Sequence, residues 1–219
     1  MKLILASQGL NNQTIANSLF ELAGKKPEEI KLSFVPTAAN LYNGGKSWFI
    51  KDLANIDKYD FAEIDIVDIS ALPKKLWKPR LEKADIIFVE GGDPFYLMGW
   101  IKKTGLDKLL PELLKTRIYV GSSSGGIVLG QKIPEKCREL YESDPQNQGN
   151  IDGLGIVNLT FLSHYYEEGF PLTLTNEVAT ELAKELGTEI YAIDDQTAIV
   201  INGDHLKVVT EGKWKKFSP

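Results

Sequence analysis

Short apolar runs recur along the chain between longer amphipathic stretches, and that alternation points to a parallel sheet with helices packed against it. Lys2–Ala6, Lys31–Pro36, Glu63–Ile69, Asp85–Glu90 and Arg117–Gly121 are rich in β-branched and other apolar side chains. Such continuous runs are typical of strands buried on both faces. Between them, Asn12 can cap a helix over Gln13–Ala23, with Ile15, Leu19 and Leu22 on one face and Gly24 just past its end. Ser47–Ile56, with Trp48, Phe49 and Leu53, also reads as a helix, as do Pro94–Lys103 and Gly105–Lys115. The fold expected is α/β, a mostly parallel sheet flanked by helices on both faces.

The pattern changes after Gly130. Gln131–Gly153 is polar, contains Pro134 and Pro145, and reads as a long surface excursion. Leu159–Ser163 is strand-like. Thr175–Leu186 is helical, since Leu174, Val178, Leu182 and Leu186 share a face and Gly187 closes it. Glu189–Ile193, Thr197–Ile201 and Leu206–Val209 read as short strands, the last two joined by the turn Asn202-Gly203-Asp204. With no repeat or linker in sight, residues 1–219 are read as one domain.

Composition narrows the function. The chain has 219 residues, 43% hydrophobic and 25% charged, enough for a sizeable core. A net charge of -5 disfavours a nucleic-acid partner. No run approaches the ~20 apolar residues of a membrane span. Cys137 is the single cysteine, so neither an intrachain disulfide nor a cysteine-based metal site can form. The expectation is a cytoplasmic protein without metal or cofactor. Lys213-Trp214-Lys215-Lys216 reads as a solvated end.

The chemistry centres on Gly121-Ser122-Ser123-Ser124-Gly125. This turn follows a strand and precedes the apolar helical start Ile127-Val128-Leu129, the setting of a nucleophile elbow. Only Ser123 has glycine two residues away on both sides; Ser122 and Ser124 are rival hydroxyls. The Ser124 amide would face a developing oxyanion, and Gly92, in the turn Gly91-Gly92-Asp93-Pro94 after another strand, offers a second amide. Asp93 there can cap the helix that Pro94 begins. A serine nucleophile needs a base, and the chain has two histidines. His164 ends a strand at the sheet edge where ligands bind, whereas His205 sits beside a surface turn. The acid that orients the base is sought in Asp194-Asp195, also at a strand end, with Glu135, Glu139 and Asp144 as weaker candidates.

Taken in order, Gly91-Gly92-Asp93-Pro94-Phe95, Gly121-Ser122-Ser123-Ser124-Gly125-Gly126, Ser163-His164-Tyr165 and Ile193-Asp194-Asp195-Gln196-Thr197-Ala198 resemble the aspartyl dipeptidase (peptidase E) family, whose relatives include the cyanophycinases. The resemblance covers nearly the whole chain. It implies a class I glutamine amidotransferase-like, flavodoxin-like fold with serine in place of cysteine, and a serine peptidase acting on small peptides. By the match Ser123 is the nucleophile, His164 the base, and the Gly92 and Ser124 amides the oxyanion hole. The orienting acid, commonly glutamate in the family, falls on Asp195, with Asp194 as the alternative. The family's basic side chain soon after the histidine is missing from Tyr165-Tyr166-Glu167-Glu168-Gly169-Phe170-Pro171, so strict Asp-X specificity is not expected; Arg80 and Arg138 are the distant cations that would have to replace it. Asp93, Tyr165, Tyr166 and Glu167 are the expected substrate contacts, with Glu167 or Glu168 holding an ammonium and Phe170 joining the tyrosines in an apolar lining. The competing readings are another serine hydrolase, such as an esterase or a cyanophycinase-like enzyme, and an amidotransferase-like binding module.

Overall fold

A computed structural model describes residues 1–141 and 151–219. Asp144 and Pro145 of the polar excursion lie outside the described residues.

The strands are β1 (Lys2–Ala6), β2 (Lys31–Val35), β3 (Glu63–Ile66), β4 (Ile86–Val89), β5 (Ile118–Ser122), β6 (Lys132–Ile133), β7 (Ile151–Asp152), β8 (Thr160–Leu162), β9 (Ile190–Ile193), β10 (Thr197–Asn202), β11 (His205–Thr210) and β12 (Trp214–Phe217). The helices are α1 (Gln13–Ala23), α2 (Ser47–Asp57), α3 (Lys74–Lys83), α4 (Pro94–Thr104), α5 (Leu106–Leu113), α6 (Ser124–Ile127), α7 (Cys137–Tyr141) and α8 (Asn176–Leu186). The large sheet runs β11-β10-β1-β5-β4-β2-β3. Its segment from β1 to β3 is parallel, and β10 and β11 add an antiparallel edge. This is an α/β fold with a mixed, mostly parallel sheet.

The continuous apolar runs are explained by burial on both faces. Ile4, Phe34, Ile86, Phe88 and Val120 pack on one side against Ile15 and Leu19 of α1 and Ile56 of α2. Their neighbours Leu3, Leu5, Ile87, Val89 and Tyr119 pack on the other with α3, α4 and α5. Helix α1 has the expected cap, Asn12 accepting the Ile15 amide at 2.9 Å, and ends at Gly24 with φ 62°.

Three sequence expectations need correction. The segment after Gly130 is not all surface: Ile133, Cys137, Leu140 and Tyr141 are buried. Helix α3 was not anticipated, because its flank of lysines and Pro79 hides the spacing of Trp77 and Leu81, which alone anchor it. The lysine-rich tail is a strand, β12, antiparallel to β9 and ending in buried Phe217. Its exposed side chains look solvated, but its backbone is paired. Strands β12, β9 and β8 form a second, smaller sheet.

The parallel strands share one edge at their C-terminal ends. Ser7 follows β1, Gly91 follows β4 and Ser123 follows β5. The small sheet delivers His164 and Asp195 to the same place from just beyond β8 and β9, which run parallel to each other.

Candidate active site

Ser123 stands between β5 and α6 with φ 46° and ψ -113°. A non-glycine residue at positive φ is strained and is held there by its surroundings. Here the surroundings are tight on both sides. A Cβ at Gly121 would approach the Gly125 carbonyl carbon to 2.5 Å, and one at Gly126 would reach 2.8 Å from the Phe161 ring. Small residues thus allow strand and helix to pass closely and push Ser123 outward.

Ser123 Oγ lies 3.1 Å from His164 Nε2, and His164 Nδ1 lies 2.6 Å from Asp195 Oδ1. With the Nδ1 proton directed at the carboxylate, Nε2 is left to accept the Ser123 proton. His164 also has positive φ, 63°, and its ring stacks on Phe170 with centroids 4.3 Å apart. Burial pushes the Asp195 carboxyl up, but hydrogen bonds from His164 and Ser7 and the charge of His164 outweigh it and hold the group below its ordinary value. Asp195 is therefore an anion in the working pH range. Asp194 turns away: its carboxylate accepts from Thr197 Oγ1 at 2.7 Å, from the Gln196 amide at 3.1 Å and from the Lys213 amide.

Ser7 was not foreseen. Its hydroxyl donates to Asp195 Oδ1 at 2.7 Å and accepts the His164 amide at 2.8 Å. Ser163 is also unforeseen: its hydroxyl lies 3.0 Å from Ser123 Oγ and 3.4 Å from the Tyr141 hydroxyl. Burial raises the Tyr141 phenol, so it stays a neutral donor. Ser163 belongs to the motif around His164, but nothing in the sequence marks these three side chains as contacts of the site, because each is an ordinary polar residue at a strand end or in a polar stretch.

The group opens into a cavity of about 420 Å³, the size of a small-ligand site. Ser7, Ser122, Ser123, His164, Asp195, Gly91 and Gly92 line it, with Trp48, Tyr42 and Phe170 as its aromatic walls. Ser122 Oγ is occupied by the Gly9 amide at 3.0 Å. Ser124 Oγ donates to the Gly92 carbonyl, which ties the two glycine turns together. Gly92 has φ 138°, and a side chain there would collide with the Ala38 backbone.

The expected substrate contacts are placed differently. Asp93 is buried and caps α4 through the Tyr96 amide at 2.6 Å. Tyr165 is buried and donates to Asn176 Oδ1 at 2.8 Å, while Tyr166 is exposed beside the same asparagine. Glu167 accepts the Asp195 amide at 3.4 Å. None of these four lines the cavity, whereas Glu168 and Phe170 do. Of the distant cations, Arg80 is bound to Asp65, and Arg138 lies over the Phe95 ring at 3.6 Å. His205 is exposed on β11. Burial pushes the Cys137 thiol far up, so it is no nucleophile. Among the described residues no cluster of three or more metal-binding side chains occurs, and no helix is long and apolar enough to cross a membrane.

The profile of peptidase family S51 matches residues 3–209. An uncharacterized peptidase of Listeria monocytogenes is 28% identical over 179 residues, which make up 78% of this chain and 82% of that protein. An uncharacterized peptidase of Pasteurella multocida is 24% identical over 177 residues, 79% of this chain and 82% of that protein. The crystal structure of a candidate peptidase E protein from Listeria monocytogenes matches with a TM-score of 0.78 and 22% identity, covering 96% of this chain and 98% of the other. That of a peptidase from an acI-B1 Actinobacterium matches with a TM-score of 0.71 and 24% identity, covering 99% and 93%. Both structures share the fold.

Proposed function

Because the chain belongs to peptidase family S51, a family of serine peptidases, we propose that it hydrolyses short peptides through a Ser123-His164-Asp195 triad and an acyl-enzyme. The observation that carries this reading is the unbroken line Ser123 Oγ, His164 Nε2, His164 Nδ1, Asp195 Oδ1, with steps of 3.1 and 2.6 Å, opening into the cavity.

In this mechanism Ser123 Oγ attacks the scissile carbonyl carbon while its proton passes to His164 Nε2. The imidazolium that forms is stabilised by the Asp195 anion. The negative charge moves to the carbonyl oxygen, which the Gly92 and Ser124 amides receive. His164 then gives its proton to the leaving amine, the C–N bond breaks, and an ester to Ser123 remains. Water, deprotonated by the same nitrogen, adds to the ester; the C–Oγ bond then breaks, the nitrogen returns the proton to Ser123 Oγ, and the acid leaves. The residues named need no metal or cofactor for any step.

The cavity suits a peptide of a few residues. Its carboxylate and imidazole lining, among the described residues, is Asp52, Glu90, Glu168, Asp195 and His164, with no lysine or arginine. A carboxylate side chain buried there would meet like charge and no cation. The substrates proposed are therefore short peptides with neutral or basic N-terminal residues, not Asp-X dipeptides alone. The fold reading that goes with this mechanism is the class I glutamine amidotransferase-like one with a nucleophile elbow, in a single cytoplasmic domain. The test is release of free amino acids from a dipeptide panel by the native chain and by Ser123→Ala. Hydrolysis lost in the variant is the expected result; hydrolysis that survives it contradicts the reading.

A further inference from the structure

Two carboxylates in the cavity take no part in the line from Ser123 to Asp195. Glu90 follows β4 and is wholly buried; Asp52, on α2, is 2% exposed. Both line the cavity. Glu90 Oε1 accepts the Gly91 amide at 2.7 Å. Glu90 Oε2 and Asp52 Oδ1 are buried and meet no N–H or hydroxyl donor among the described residues. The two carboxyl groups are neighbours, and each acts on the ionisation of the other.

Two adjacent carboxylates out of water do not both ionise. Burial and the neighbouring Asp52 push Glu90 well above the carboxylate range, while burial raises Asp52 to about 6. Near neutral pH the pair therefore keeps one proton and carries one negative charge. The remaining charge is buried beside oxygens, Glu90 Oε2 and Asp52 Oδ1, that no N–H or hydroxyl of the described residues meets. Lys51 and His164 act on Asp52 only through space, and Asp195 opposes them.

The pair lies next to the elbow. Gly91, whose amide Glu90 holds, is so near that a Cβ there would stand 3.2 Å from the Ser123 Cβ. Gly9 bridges on the other side: its amide donates to Ser122, and a Cβ on it would stand 3.7 Å from the Asp52 carboxyl. In a peptide attacked at its first carbonyl, the α-amino nitrogen is two bonds from the carbon that Ser123 attacks. A free N-terminus therefore comes to the part of the cavity where an unpaired buried anion is held. Glu168, the other spare carboxylate of the lining, is exposed and solvated.

We propose that the Asp52–Glu90 pair is the seat of the substrate's free α-ammonium group, with Asp52 as the counter-charge and Glu90 fixing its orientation. This deepens the peptidase reading and rests on it, since it makes the enzyme one that selects unblocked N-termini.

The test is calorimetric binding of L-alaninamide and N-acetyl-L-alaninamide at pH 7 to the full chain carrying Ser123→Ala. That background removes turnover, so the result does not depend on which bond the native chain cleaves. The free amine should bind at least about tenfold more tightly than its acetylated form. Adding Asp52→Asn should bring the two ligands to within about threefold of each other. Adding Glu90→Gln, which imitates a protonated carboxyl, should keep most of the preference. Equal binding of both ligands to the Ser123→Ala chain overturns the proposal, and that comparison stands even if the Asp52 variant does not fold. A preference unchanged in a folded Asp52→Asn chain overturns it too. An intact ammonium preference with no hydrolysis of any unblocked peptide by the native chain would instead sink the peptidase reading and leave the seat in place.

Discussion

Ser7 Oγ lies 2.7 Å from Asp195 Oδ1, and through that bond the end of β1 in the large sheet holds the carboxylate that the small one delivers to His164. The same oxygen receives the His164 amide, so one hydroxyl fixes both the histidine's backbone and the carboxylate its ring pairs with. Ser7→Ala should lower kcat/KM by about ten- to a hundredfold, the worth of a hydrogen bond to a charged group, without loss of fold. A merely structural serine would leave the pH profile alone. Here the variant loses a donor that lowers the Asp195 carboxyl, so the acid limb of kcat/KM should move to higher pH. An unmoved limb would remove Ser7 from the positioning role.

Asp194 and Asp195 are adjacent in sequence and opposite in use. Asp195→Asn should cut kcat by up to about 10⁴-fold while the protein stays folded, since the imidazole then lacks its anionic partner. Asp194→Asn should do the reverse. It disturbs a carboxylate that accepts from Thr197, Gln196 and Lys213 and should cost about 1–3 kcal/mol of stability with a small effect on kcat. Thermal unfolding and kinetics on the two variants check the contrast, and an exchange of the two phenotypes would reverse the assignment.

The two halves of the candidate site differ in how visible they are in sequence. Ser123, His164 and Asp195 stand out because each ends a short apolar run, and the four ordered motifs around them lead to the peptidase E family, in agreement with the family match. Ser7, Ser163 and Tyr141 are invisible by the same logic, because their roles arise only when two sheets meet. Asp52 is the clearest case: it sits between Lys51 and Leu53 on an amphipathic helix and no motif marks it, yet the chain folds it inward beside Glu90. The tyrosines after His164 read as pocket walls, but the strained backbone at His164 and Tyr166, with φ 63° and 59°, turns them toward Asn176 and leaves Phe170 at the site.

The buried pair also fixes a direction of pH dependence. The folded-state value of Asp52 is raised to about 6, above the ~3.9 of an unfolded aspartate. Between those values the unfolded chain gives up a proton that the folded chain keeps, so this group makes stability fall as pH rises from about 4 to about 6 and has no further effect above. One proton contributes at most about 1.4 kcal/mol per pH unit. The melting temperature of Asp52→Asn should exceed that of the native chain by more at pH 6 than at pH 4. A difference that shrinks over that window would contradict the raised Asp52 carboxyl.

Specificity follows from the charge of the cavity lining. On X-Leu dipeptides with Ala, Leu, Lys and Asp at X, the Asp substrate should be the poorest. A preference for Asp-Leu of about a hundredfold, or 2.7 kcal/mol, would mean that a cation reaches the site from outside the described lining.

The central claim is that Ser123 is the nucleophile. The most direct measurement is peptide mapping by mass spectrometry after treating the folded chain with a fluorophosphonate. A single adduct on Ser123 is expected, with none on Ser122, Ser124 or Ser163, and labelling is lost in His164→Ala. A folded chain left unlabelled, or an adduct on another serine, would contradict it.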